Sequence, residues 1–123
     1  MRIHLSLLIA MSLHFVGDFM FQTENMSKNK SSDWSVLLLH SWVYATVLLV
    51  WVIYLGLIQP TKVEFLPLVY MVILSSHICI DGITSRVTHN FWDDGKYHEF
   101  FVTIGLDQLI HFSIILALSF YIL

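Results

Sequence analysis

His14-Phe15-Val16-Gly17-Asp18-Phe19-Met20-Phe21-Gln22 is the stretch on which the reading of this chain turns. His14, Asp18 and Gln22 fall at i, i+4 and i+8, so a helix gathers them into one polar stripe within a segment apolar enough to sit in a bilayer. A charged side chain at the bilayer centre costs about 2.5–3.5 kcal/mol on insertion scales, so an intramembrane His/Asp pair marks a functional site.

Working outward, the composition agrees with a membrane setting. Of 123 residues, 57% are hydrophobic and only 12% charged, with a mean hydropathy of +0.74; an ordinary soluble domain carries about 25% charged residues. The net charge of −3 and the six scattered Lys/Arg residues give no basic face for a phosphate backbone, so nucleic acid is not an expected partner. Cys79 is the one cysteine, which excludes an internal disulfide and a cysteine-based zinc cluster. The opening run superficially resembles a secretory signal, but His14 and Asp18 interrupt it and no small-residue cleavage site follows; it reads as a retained helix.

The fold class is therefore all-α, a transmembrane four-helix bundle in a single integral membrane domain spanning 1–123. Helices are expected at about 2–21, 34–58, 65–86 and 100–123, each near the length that crosses a bilayer. Polar loops fill 22–33 and 88–99, with Asp33 as N-cap of the second helix and turn chemistry in Asp93-Asp94-Gly95. Pro60 stops the second helix at the Gln59–Lys62 turn. The first and third helices both carry His-x-x-x-Asp and run in the same direction, which suggests two duplicated hairpins. Tryptophans 34, 42, 51 and 92, with the tyrosines, partly fit interfacial belts.

Alternating helix direction brings the ionisable residues to one level. At 1.5 Å per residue, His14, Asp18, His40, His77, Asp81, Asp107 and His111 all lie about 6–16 Å inward from the same face. The opposite halves carry none, apart from Arg2, His4, Lys62 and Glu64 at the far interface. Random placement rarely puts seven His/Asp residues in one slab. Imidazole and carboxylate without thiolate suit a divalent cation, Zn, Mn or Fe. Seven candidates exceed one ion's needs: either two ions bind, or one binds and the remaining residues orient its ligands. Gln22, Lys30 and Gln108 are placed to hold a polar substrate group at the mouth, and Gly17 and Gly82 to let helices approach closely. The plainer alternative for the His/Asp pairs is interhelical hydrogen bonding, although Ser or Asn would serve at a lower desolvation cost. His4, His89 and His98 are expected to be solvated.

The ordered series His14-x-x-x-Asp18-Phe19-x-x-Gln22, Met26, Lys30, His40-x-x-x-Tyr44, His77-x-x-Ile80-Asp81 and Asp107-Gln108-x-x-His111 resembles a family of small bacterial and phage multi-pass membrane proteins classed as a domain of unknown function. More distantly, it is similar to membrane-bound metal-dependent hydrolases. The resemblance implies a metal-dependent hydrolase by analogy. Many members place a Lys three residues after the third-helix Asp, where this chain has Thr84; if that Lys contacts a phosphate, Arg86 has to replace it.

The functional expectation is an intramembrane metal-dependent hydrolase acting on an ester or phosphoester, with a lipid or lipid-linked substrate following from the depth of the site. An ion or proton transporter using the same His/Asp layer is the first alternative, and a structural or assembly factor of a phage or bacterium the second. Lys28, Lys30, Arg86 and Lys96 against Arg2 and Lys62 place the site side in the cytoplasm and both termini outside an inner membrane. The lipid bilayer is the expected partner. Four short helices leave little room to enclose a site, so a homo-oligomer is also expected.

Overall fold

A computed structural model describes residues 2–123, the side chain of Arg2 excepted, so its expected place at the far interface lies outside the described residues. All regular structure among them is helical: α1 (Arg2–Phe15), continued by a π-helical turn (Val16–Met20), α2 (Glu24–Asn29), α3 (Trp34–Ile58), a 3₁₀ segment (Pro60–Phe65), α4 (Leu66–Asp93) and α5 (Tyr97–Ile122). Four helical stretches are long and apolar enough to cross a membrane, as expected. They pack in the cyclic order α1, α3, α4, α5, with α1 and α4 on a diagonal.

Local chemistry sets most of the boundaries. Asp33 has extended backbone, and its carboxylate accepts the Ser35 N–H at 2.8 Å, capping α3 as expected. Ile58 is its last residue, two before Pro60. Three boundaries differ from the expectation. The loop after the first helix contains α2, capped by Thr23 Oγ1 and pinned to the bundle by buried Met26. Helix α4 does not stop near Arg86 but runs on to Asp93, and α5 starts at Tyr97, so the expected loop at 88–99 shrinks to Asp94-Gly95-Lys96. The cause is that polarity after Arg86 signals exit from lipid, not exit from helix. Nothing breaks the backbone before Gly95, whose φ of +71° makes the turn. Finally, the first span leaves α-helical geometry at Val16, where the Phe21 N–H bonds to the Val16 carbonyl, a five-residue step.

The half of the bundle away from α2 is an apolar core that includes Ala10, Leu48, Leu55, Val69, Ile73, Ile115 and Ile122. Trp51 belongs to it: it is fully buried, and its indole N–H donates to Ser6 Oγ at 2.8 Å, so it is no part of an interfacial belt. An indole needs an apolar body and one polar partner, and a bundle interior supplies both. Large side chains such as Leu8, Phe15, Trp42, Leu57, Ile83 and Phe120 are exposed on the outside, where hydrocarbon would cover them. His4, His89 and His98 are exposed too.

Candidate metal centre

At the α2 end of the bundle, four buried side chains turn inward: Asp18 from the π turn, His40 from α3, and His77 and Asp81 from α4. His40 Nε2 is 3.2 Å from Asp18 Oδ1, from Asp81 Oδ2 and from His77 Nε2. His77 Nε2 is 3.7 Å from each of the two carboxylates. Ligands about 2.0–2.2 Å from a tetrahedral ion sit about 3.3–3.6 Å apart, so the separations suit a shared cation. Asp81, Asp107 and His111 form a second buried group able to approach one ion, with Asp81 common to both.

Proton bookkeeping assigns the rest. The Asp107 backbone carbonyl, which can only accept, lies 2.9 Å from His111 Nδ1, so that nitrogen carries the proton. In neutral His111, Nε2 then accepts from His77 Nδ1–H at 2.8 Å, and the His77 Nε2 lone pair is left facing the quartet. A parallel chain serves Asp18. The Tyr44 hydroxyl donates to His14 Nδ1 at 2.9 Å, and His14 Nε2–H donates to Gln108 Oε1 at 2.7 Å. The Gln108 amide then donates to Asp18 Oδ2 at 3.1 Å and to Asp107 Oδ2 at 2.9 Å. Asp18 Oδ1 is thereby left to the centre. The remaining conflict sits at His40. A neutral imidazole can donate one proton from Nε2 to one of three lone-pair neighbours, and its Nδ1 has no partner. A cation in the middle relieves that convergence.

The seven residues expected as ligands thus divide. Asp18, His40, His77 and Asp81 converge; Asp107 and His111 stand beside them and join Asp81 in the second group; His14 stands in neither, its two nitrogens occupied by Tyr44 and Gln108. The His-x-x-x-Asp pairs are not used alike: His77 joins the quartet, whereas His14, with Nε2 3.8 Å from Asp18 Oδ2, is taken up by Tyr44 and Gln108. Asp18 itself lies in the π turn, where Gly17 packs closely on Tyr44.

A cavity of about 210 Å³ opens over the quartet, lined by Gln22, Lys30 and Gln108 as well as Asp18, Asp81 and Asp107. Lys30 reaches in from the α2–α3 connection and donates to Asp81 Oδ2 at 2.7 Å. Gln22 keeps a buried Oε1 without a partner. Arg86 does not face the site: its guanidinium bonds the Gly82 carbonyl and lies 4.5 Å from the Trp34 ring centroid, so Lys30 is the cation at the quartet. Thr84, where the resemblance would place a Lys, has its hydroxyl 2.7 Å from Asp107 Oδ1. Tyr44, stacked on His77 with ring centroids 3.8 Å apart, and Ser85 in the cavity wall were not among the expected site residues. Each lies four positions after a residue of the quartet, His40 or Asp81, and that spacing was the available signal.

A family profile described as "Protein of unknown function (DUF3307)" matches residues 3–123. No curated protein and no solved structure matches the chain.

Proposed function

The chain belongs to that family, and since its description assigns no activity, we propose from the site itself that the protein is a membrane-embedded, metal-dependent hydrolase of an ester or phosphoester. The observation that carries this reading is the quartet Asp18, His40, His77 and Asp81, its ligand atoms within 4.8 Å of one another and its two carboxylates lining an open cavity. Two imidazoles and two carboxylates suit divalent zinc, manganese or iron. Charge points the same way. Among the described residues, Lys30 is the one Lys or Arg lining the cavity with Asp18, Asp81 and Asp107, and with the imidazoles neutral a divalent ion offsets the two negative charges left over.

Bound there, the ion supplies Lewis acidity that activates water and polarises an ester oxygen. The chain's own residues do the rest. Asp107, beside the quartet and open to the cavity, accepts the proton of the attacking water. The ester bond breaks as the new bond to water oxygen forms, and that proton passes to the departing alcohol. Gln22 and Lys30 hold the polar end of the substrate. The depth of the site favours a lipid or lipid-linked molecule.

Conduction through the same layer finds less support, because the apolar core from Ala10 to Ile122 lies beneath it. Elemental analysis of protein purified in detergent without chelator should find about one transition metal per chain, and the metal-loaded protein should cleave a chromogenic ester or phosphoester. Less than a tenth of an equivalent would remove the proposal.

A further inference from the structure

We propose that the cavity over the quartet is a phosphoryl site: it takes the phosphate of a monoester, with Lys30 and Ser85 on its oxygens and the remainder of the molecule turned toward the mouth. The inference rests on the metal reading above, which supplies the counter-charge to the acidic floor.

Ser85 is the first observation. It is 8% exposed, it lines the cavity, and its hydroxyl has no hydrogen-bond partner. Buried hydroxyls are ordinarily satisfied, so an orphan in a cavity wall is a donor waiting for a ligand. Lys30 is the second. Its ammonium has three protons and spends one on Asp81, leaving two for a ligand in the cavity it lines. Size and shape add to this. The inner cavity, about 210 Å³, is smaller than the roughly 300–1,000 Å³ that encloses a drug-sized ligand, and suits a compact head group. Ser27, Lys30, Ser85, Thr88 and Phe100 also border an outer space of about 570 Å³ that reaches Trp92, where the larger remainder of the molecule fits.

The donor count separates phosphate from carboxylic ester. A neutral ester carbonyl is one weak acceptor and would leave Lys30 or Ser85 without a partner. A phosphate monoester presents three charged oxygens, one each for the ion, the ammonium and the hydroxyl. Hydrolysis then proceeds by attack of water oxygen on phosphorus and cleavage of the ester P–O bond, releasing inorganic phosphate and an alcohol that takes the proton.

The test is equilibrium binding of inorganic phosphate to the detergent-solubilised, metal-loaded protein by calorimetry, with metal content measured on every sample. Wild type should bind phosphate; Ser85→Ala should weaken binding about three- to tenfold and Lys30→Met at least tenfold, with Lys30→Arg retaining most of it and Ser85→Ala keeping its metal. Phosphatidic acid in phosphatidylcholine nanodiscs should displace phosphate if the natural group is a lipid head group, whereas phosphatidylcholine alone should not; displacement by soluble phosphate monoesters only would assign a soluble source. Metal-loaded protein that binds no phosphate, or Ser85→Ala and Lys30→Met both binding it as wild type does, overturns the phosphoryl site and leaves the metal reading standing. Wild type without metal overturns both.

Discussion

Asp81 faces His40, His77, Lys30 and His111 with its two carboxylate oxygens. One carboxylate oxygen meets His40 and Lys30, while the other lies 3.9 Å from His111 Nε2. Asp81→Asn keeps the shape but replaces one ligand oxygen's charge, and its metal content should fall from about one to below a tenth of an equivalent by elemental analysis. Gln108 acts differently, since it touches the quartet only by donating to Asp18 Oδ2. As a positioning residue, its replacement by Leu should leave metal binding detectable but about 10–100-fold weaker in chelator competition. Sequence spacing could not divide these roles. It placed both residues at the right depth, but which nitrogen or oxygen faces which partner depends on side-chain directions from four different helices.

At the scale of the element, the glycines give a graded test. A Cβ on Gly17 would stand 3.3 Å from both Cα and Cδ2 of Tyr44, so Gly17→Ala should destabilise by about 1–3 kcal/mol through overpacking. Gly95 has open space around it but a φ of +71°, and Gly95→Ala should cost about 1–2 kcal/mol through backbone strain alone. Gly105 has neither constraint, and Gly105→Ala in mid-helix should stabilise by about 0.5–1 kcal/mol. Unfolding of the three variants in mixed micelles measures this order. The close approach at Gly17 was legible as a small residue beside Asp18. The π turn was not, because no residue in Val16–Met20 forbids an ordinary α-helix; contact with α3 decides it.

For the whole molecule, the packing order α1, α3, α4, α5 brings the seven buried His/Asp residues to one end and leaves an apolar core below them. Proteoliposomes should therefore show no pH-dependent ion flux above protein-free vesicles. The excess of Lys28, Lys30, Arg86 and Lys96 predicts a cytoplasmic site side: Lys28→Cys, in a Cys79→Ser background, should then react with an impermeant maleimide only when the cytoplasmic face is open. By itself the sequence determined the helical bundle, the four apolar spans and the shared depth of seven His/Asp residues, because hydropathy and rise per residue are properties of a chain read along its length. Tertiary structure alone decided that Asp18, His40, His77 and Asp81 converge while His14 is taken up by Tyr44 and Gln108, and that Lys30 rather than Arg86 reaches the site. Those outcomes depend on rotation about the helix axes, which packing between helices sets and no single helix contains.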